Sequence, residues 1–114
     1  MRKLNFHLIN VFAESPLQGN PLCVFEDGTQ ISETEMQALA LQFNLSETTF
    51  ILPSQTATKR MRIFTPSFEM PFAGHPTLGT SHVVRMLAGG GDALTLETKA
   101  GVVPVSAEDD RWTL

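Results

Sequence analysis

The chain has 114 residues, 42% of them hydrophobic and 18% charged, with a formal net charge of −4. A chain of this size buries roughly two thirds of its unfolded surface, so the sequence predicts one domain over residues 1–114 with a hydrophobic core. The acidic balance argues against nucleic acid as a partner, because phosphate binding requires clustered Lys and Arg. No apolar run reaches the roughly 20 residues of a membrane span and no signal-peptide core is found, so we expect a cytoplasmic protein with no membrane partner.

The first two predicted elements are strands. Residues 3–12 alternate between polar and apolar, which is typical of a strand with one buried face. The residues expected on that face are Leu4, Phe6 and Leu8. A loop rich in Gly, Asn and Pro follows at 15–21, and an apolar strand is predicted over residues 22–26. This strand contains the only cysteine, Cys23, which we expect to be a buried and unreactive thiol.

A helix and two further strands come next. Ser32, followed three residues later by Glu35, is a capping box that predicts a helix N-terminus. Asn44 ends the helical periodicity. Residues 48–52 and 59–65 then predict two strands separated by a polar turn.

The second helix is unusual because it has almost no polar face. It begins near Pro76, which suits the first turn of a helix, and it ends at glycines 89–91. Between them, His82 and Arg85 are the only ionisable residues. A helix with so few polar residues is expected to be enclosed by protein. Its predicted buried face includes Leu78, Val83, Val84 and Leu87.

Further strands are predicted at residues 93–98, at 102–106 and from residue 111 onward. About seven short strands and two helices together indicate a mixed α/β fold. A curved mixed sheet wrapped around the second helix accommodates this pattern, because it encloses the helix that lacks a polar face.

Glu47 is the first candidate for chemistry, since it lies where the first helix gives way to an apolar strand. A carboxylate in partly apolar surroundings can act as a general acid or base. A solvated glutamate at the rim of a strand gives the same sequence pattern, and composition alone favours that alternative.

The segment 69–79 is the second candidate. Gly74 lets a ligand approach the backbone, and the helix that follows offers unpaired N–H groups and a positive dipole end, which bind carboxylate or phosphate. His75 can donate a hydrogen bond or a proton. An ordinary glycine turn before a helix explains the same residues equally well. The three histidines show no ligand spacing, so no metal site is predicted.

Four strings, in this order and spacing, resemble the PhzF-like (phenazine biosynthesis) family. They are Gly19-Asn20-Pro21, Asn44-Leu45-Ser46-Glu47-Thr48, Arg62-Ile63-Phe64-Thr65-Pro66 and Pro71-Phe72-Ala73-Gly74-His75-Pro76-Thr77-Leu78-Gly79. Each string alone is weak evidence, whereas the four together are specific, and the Gly-His-Pro-Thr segment is the most specific. The similarity extends from Phe6 to about Val105.

The resemblance implies one half of a diaminopimelate epimerase-like fold, in which two curved mixed sheets, each around a central helix, enclose an active site between them. It implies that Glu47 is the proton-shuttling acid/base. It further implies that Asn20, Gly74 and His75 contact the substrate, and we expect Thr77 of the same motif to bind it too. The family's best-known reaction moves a proton between carbons of a dihydro-hydroxyanthranilate ring acid without a cofactor.

Two departures separate the chain from the related amino-acid epimerases. Those enzymes use a pair of cysteines across the cleft, but Gly74 stands at one of these places and Cys23 lies elsewhere. Thr65 stands where the epimerases carry a substrate-binding asparagine. Thiol-based racemisation is therefore not expected.

The length of the chain leaves three functions open. A family member is more than twice as long, and its second half supplies an acidic partner and a second anion-binding helix end. The chain can be an isomerase completed by a second copy in a homodimer, a non-catalytic domain that binds small carboxylates, or a fragment of a longer enzyme. The strand-like C-terminus with Trp112 favours the homodimer, since such an edge needs covering.

Overall fold

The structure, a computed structural model, describes residues 3–11, 19–109 and 111–114. Within these residues it contains eight strands and two helices, and the predicted mixed α/β fold is confirmed. The loop predicted at 15–21 lies mostly outside the described residues. The elements are β1 (Phe6–Val11), β2 (Asn20–Phe25), α1 (Glu33–Phe43), β3 (Glu47–Leu52), β4 (Lys59–Phe64), β5 (Glu69–Met70), α2 (Gly74–Ala88), β6 (Ala93–Thr98), β7 (Gly101–Glu108) and β8 (Arg111–Thr113).

The described strands form one mixed sheet in the order β1-β2-β3-β4-β6-β7-β8, with the two-residue β5 paired to β4. The neighbouring pairs β2–β3 and β4–β6 are parallel and the others are antiparallel. Parallel neighbours need a crossover connection. Here α1 connects β2 to β3, and α2 lies in the connection from β4 to β6, so each helix belongs to one parallel pair.

Helix α1 begins and ends where local signals predict. The N–H of Glu35 donates to Ser32 Oγ at 3.2 Å, and the N–H of Ser32 donates to Glu35 Oε1 at 3.1 Å, which is a complete capping box. At the other end Asn44 adopts a left-handed conformation with φ 55°, and its N–H donates to the Ala40 carbonyl. This abrupt end lets the chain enter β3 at once, and it thereby sets the position of Glu47.

The sheet curves around α2, as predicted. Helix α2 packs against β1, β2, β3, β4, β6 and β8. An inner core fills the space between α2 and the sheet: Val11, Leu22, Val24, Ile51, Met61, Ile63, Val83, Val84 and Leu96. An outer core lies between the opposite face of the sheet and α1: Cys23, Phe25, Ile31, Met36, Ala40, Phe50 and Phe64.

The prediction that Leu87 lies on the buried face of α2 is wrong. Leu87 is 47% exposed, because it lies in the last turn of the helix, where Met86 and Ala88 are exposed as well. The sheet covers the middle of α2, where Val83 and Val84 have almost no exposed surface.

The prediction for β1 is also wrong for two of the three residues that were expected to be buried. Phe6 is 44% and Leu8 is 64% exposed, whereas Ile9 and Val11 on the opposite face pack in the inner core. The strand is apolar on both faces, and α2 covers the face that carries Ile9 and Val11. The outer core reaches only the beginning of the other face, where Leu4 packs against it and the partly exposed Phe6 ring contacts Phe25 and Phe43.

Cys23 is a buried thiol, as predicted. It has no exposed surface and faces the outer core, and burial raises the pKa of the Cys23 thiol to about 12. Because the thiolate is the reactive form, this side chain is unreactive at neutral pH.

Gly79 allows α2 to lie directly on β1 and β2. A Cβ atom at this position would lie 2.5 Å from Leu22 Cδ2 and 2.9 Å from Val11 Cγ2. Both neighbours belong to the inner core, where close packing leaves them little room to move. The contact therefore requires a residue without a side chain.

The short strand β5, which the sequence analysis missed, is held by a cluster of ion pairs. Arg62 on β4 donates from Nε and Nη2 to both carboxylate oxygens of Glu69, each at 2.7 Å, and it also contacts Glu33 of α1. Lys99 donates to Glu69 at 2.7 Å. Partial burial alone would raise the pKa of Glu69, but the hydrogen bonds and charges of Arg62 and Lys99 outweigh it and lower that pKa. The cluster fixes the segment that leads into α2.

Replacing Gly79 by Ala tests the close packing of α2. Two contacts below 3.0 Å put the overpacking cost in the upper half of the usual range of roughly 1–3 kcal/mol. The better helix propensity of Ala returns about 1 kcal/mol, so we expect a net loss of about 1–2 kcal/mol in the free energy of unfolding. Urea denaturation measures the loss. The control is Gly74→Ala in the same helix, where a Cβ meets a described atom no closer than 3.5 Å. An unchanged stability for Gly79→Ala would contradict the account.

Replacing Glu69 by Gln tests the ion-pair cluster. A lowered pKa means that the ionised Glu69 stabilises the fold above the ordinary glutamate pKa of about 4.3 and that this contribution is lost as the pH falls through the folded-state pKa. We expect Glu69→Gln to reduce the free energy of unfolding at pH 7 by about 1.5–3 kcal/mol, the usual worth of hydrogen bonds to a charged group.

Urea denaturation between pH 7 and pH 3 measures this difference, which should shrink as the pH falls. The exposed carboxylate of Glu108 supplies the control variant, Glu108→Gln. A difference that stays constant over this pH range would mean that the Glu69 charge is not what stabilises β5.

Candidate active site

Glu47 is the first residue of β3 and lies in register with Leu22 of the parallel strand β2. Alternation along β3 puts Glu47, Thr49 and Ile51 on one face, and Ile51 belongs to the inner core. The Glu47 side chain is 15% exposed. Its carboxylate therefore lies at the rim of the inner core next to α2, and the fully solvated alternative does not describe it.

His75, in the first turn of α2, is the neighbour of Glu47. Its Nε2 atom lies 3.7 Å from Glu47 Oε1, and its side chain is 23% exposed. This separation is too long for a direct hydrogen bond, but it is an ion-pair distance when the ring is protonated. Both side chains can therefore contact one small molecule, Glu47 with its carboxylate and His75 with a ring N–H.

The start of α2 is suited to an anion. The N-cap residue Ala73 makes no side-chain capping hydrogen bond, and the first turn contains no acidic residue. The first N–H groups of a helix have no intrahelical partner and carry the positive end of its dipole. Of the described residues, only Leu114 would lie within 4 Å of a Cβ atom built at Gly74, at 3.5 Å. A carboxylate can thus approach the backbone here.

Asn20 and Thr77 occupy different environments. Asn20 is the exposed first residue of β2, two residues before Leu22, and it shares that residue's face by strand alternation. It lies at the same end of the sheet as Glu47. Thr77 is fully buried, and its hydroxyl donates to the Ala73 carbonyl at 2.7 Å. The Thr77 hydroxyl is thus engaged within the first turn of α2, and its contact with a substrate stays a prediction.

The structure brings together three of the predicted residues, since Glu47 contacts His75 and Gly74 precedes His75 at the helix start. Two polar pairs were not predicted from the sequence, one in the segment that leads into α2 and one between β3 and α2. One is Arg62 with Glu69, and the other is a hydrogen bond of 2.7 Å between the Thr49 and Thr80 hydroxyls, 31 residues apart. The sequence carries no distinct signal for the second pair, since β3 also contains Thr48 and α2 also contains Thr77 and Ser81.

The part of the chain that the structure describes has no evident metal site. Within it, no three His, Cys, Asp or Glu side chains are grouped so that they could hold an ion. Neither described helix has the length and hydrophobicity needed to cross a membrane.

Comparison with known proteins assigns the chain to a family in which several members are named isomerases. The family model of phenazine biosynthesis-like proteins, PhzC–PhzF, matches residues 9–113. A trans-2,3-dihydro-3-hydroxyanthranilate isomerase of Pseudomonas aeruginosa is 49% identical over 102 residues, which are 89% of this chain and 36% of that protein. An uncharacterized isomerase of Pasteurella multocida is 44% identical over 105 residues, which are 90% of this chain and 36% of that protein. The chain therefore spans little more than a third of the length of these relatives.

Solved structures agree with this assignment. A PhzF-family phenazine biosynthesis protein of Bacillus anthracis matches with a TM-score of 0.86 at 36% identity, over 98% of this chain and 39% of that one. A PhzF-family protein of Enterococcus faecalis matches with a TM-score of 0.87 at 28% identity, over 96% of this chain and 42% of that one. The fold is thus part of the diaminopimelate epimerase-like architecture, as predicted. The chain belongs to the phenazine biosynthesis-like, or PhzC–PhzF, family.

Proposed function

We propose that the chain is the N-terminal half of a cofactor-independent isomerase that moves a proton on a small carboxylic acid. The observation that carries this proposal is the position of Glu47, 3.7 Å from His75 and beside the uncapped start of α2. An acid/base therefore stands next to a place that attracts a carboxylate. The relative from P. aeruginosa supports the reaction class, since it is named as the isomerase of a ring carboxylic acid.

In the proposed mechanism, the substrate carboxylate binds the first N–H groups of α2, and Asn20 and Thr77 are the further binding residues. The ionised Glu47 accepts a proton from a carbon near that carboxylate, and the electron pair of the broken C–H bond moves into the adjacent double-bond system. The same carboxyl group then returns the proton to another carbon of that system. Glu47 ends as it began, so the reaction needs no redox cofactor. His75 donates a hydrogen bond that holds a substrate oxygen near Glu47.

The site needs a second wall to exclude water. Glu47 and His75 keep 15% and 23% of their side-chain surface exposed, and the chain spans 36% of the length of the relative from P. aeruginosa. We propose that the wall is the remainder of a longer chain or, where this chain acts alone, a second copy in a homodimer. The proposed location is the cytoplasm.

The support for a homodimer is the exposed apolar surface at both edges of the sheet. Leu8 on β1 is 64% exposed and Leu114, which follows β8, is 53% exposed. When a partner covers these apolar side chains, their surface is removed from water, and this burial stabilises the dimer. Trp112 adds nothing to this surface, because its ring is largely buried and stacks against Arg85.

A second candidate function is binding of a small carboxylate without catalysis. It is favoured by the same helix start, because an uncapped N-terminus binds an anion by itself, whereas proton transfer also requires a closed, water-poor site. The two functions differ in whether a bound carboxylate exchanges a proton on carbon.

Replacing Glu47 by Gln separates the two functions. The change keeps the shape of the side chain but removes the base. Calorimetric titration with 3-hydroxyanthranilate, an aromatic relative of the dihydro ring acid, should therefore give nearly the same affinity for Glu47→Gln as for the wild type. Isomerase activity toward the dihydro acid should fall by roughly 10²–10⁴-fold, the usual worth of a general acid/base.

The chain offers a matched control in a second His–Glu pair. Glu26 Oε2 lies 2.6 Å from His7 Nε2, beyond the opposite end of β2, so Glu26→Gln should change neither binding nor activity. Equal activity of Glu47→Gln and the wild type would refute the catalytic role of Glu47. Binding by a wild-type protein that shows no isomerisation would favour the non-catalytic alternative.

The homodimer proposal predicts a mass in solution of twice the 12.5 kDa of one chain. Light scattering coupled to size-exclusion chromatography measures this mass over a range of protein concentrations. The dimer should persist as the salt concentration is raised, because burial of apolar surface is not screened by salt. A monomer mass at the highest concentration would rule out a second copy as the missing wall.

A further inference from the structure

We propose that the buried hydrogen bond between Thr49 and Thr80 is a positioning element that sets the distance between Glu47 and His75. The inference rests on the proposed function of that pair. Thr49 lies on the strand that carries Glu47, and Thr80 lies on the helix that carries His75. This bond therefore joins the two elements whose relative position decides the geometry of the site.

The bond is short and shielded from water. The Oγ1 atoms of Thr49 and Thr80 are 2.7 Å apart, and neither residue has any exposed surface. Each hydroxyl can donate and accept, so one donates to the other. Hydrogen bonds weaken steeply when their geometry is disturbed, and a buried hydroxyl finds no water to replace its partner. A slip of α2 along β3 is therefore opposed directly by this bond.

The spacing along the two elements matches. Glu47 and Thr49 are two residues apart on one face of β3, which is about 6.6 Å of strand. His75 and Thr80 are five residues apart on α2, which is about 7.5 Å along the helix axis and about 140° around it. The Glu47–His75 contact and the Thr49–Thr80 bond thus have similar spacing along the two elements, although their side chains leave the helix in different directions, and fixing the position of α2 at the second restrains the first.

The surroundings of the pair explain why hydroxyl groups are needed there. The strand neighbours of Thr49 are Val24 and Ile63, and both belong to the inner core. Apolar contacts of this kind have no preferred direction, whereas a hydrogen bond between two hydroxyls requires a particular relative position of the two side chains. Gly79 determines how closely α2 approaches β1 and β2, and the directional bond of Thr80 adds the restraint along β3.

The test uses variants that remove or keep the hydroxyl. Thr49→Val and Thr80→Val delete it with little change of shape, whereas Thr49→Ser and Thr80→Ser retain it. The matched control is Ser81→Ala, because Ser81 is equally buried and its hydroxyl donates to the Thr77 carbonyl within α2, so it does not connect the helix to the sheet. Circular dichroism at the working temperature confirms that each variant is folded.

The readout is the nuclear Overhauser cross-peak between the His75 ring protons and the Glu47 side-chain protons in the 114-residue chain. In Thr49→Val and in Thr80→Val, we expect the intensity of this cross-peak to fall to half of the wild-type value or less. Thr49→Ser, Thr80→Ser and Ser81→Ala should keep the wild-type intensity. A loss of stability alone would not produce this pattern, since Ser81→Ala also loses a buried hydrogen bond.

Wild-type intensity in both valine variants would overturn the proposal. An equal loss in the serine variants would overturn it too, because the hydroxyl would then not be the cause. The result is separate from that of the proposed function, since the cross-peak reports the distance between the two side chains whether or not a carboxylate binds or reacts.

Discussion

The enclosure of α2 by the curved sheet is the constraint on which the rest of the structure depends. A helix with so few polar residues is stable only when protein covers it, and here six strands do so. Gly79 is a point of close approach, since a Cβ atom there would lie 2.5 Å from Leu22. The curvature of the sheet and the position of the first turn of α2 follow from this packing.

The candidate site is a consequence of the topology. Because β2 and β3 are parallel, both strands start at the same end of the sheet, and Asn20 and Glu47 are their first residues. The abrupt end of α1 at Asn44 allows β3 to start there. Helix α2 begins at this end too, so His75 meets Glu47 without any long loop. The chemistry of the site therefore depends on the first residues of β2, β3 and α2.

Local signals in the sequence predicted the parts of the fold that local interactions determine. The capping box of Ser32 and Glu35 and the helix end at Asn44 need only their own helix, and both were predicted. The buried face of β1 was wrong, because the strand is apolar on both faces and the location of α2 decides which face is covered. Strand β5 was missed, because two residues have no periodicity and ion pairs with Arg62 and Lys99 hold them.

The residues of the site were predicted through their family resemblance, and the structure adds how they are arranged. No pattern in the sequence gives the distance between Glu47 and His75, because they lie on elements brought together only by packing of the core. The Thr49–Thr80 bond has the same origin, since each threonine alone is unremarkable in its segment. Thr77 is part of the family motif, yet its hydroxyl donates to the Ala73 carbonyl at the start of α2.

The central claim is that a small carboxylate binds at the start of α2 beside Glu47 and His75. The most direct measurement is a titration of the isotope-labelled chain with 3-hydroxyanthranilate, followed by the shifts of its backbone amide resonances. The account predicts that the amides of Gly74 and His75 shift most, with smaller changes at Glu47 and Asn20. Shifts concentrated instead on β6 and β7, for example at Thr95 and Ser106, with none at the start of α2, would contradict it.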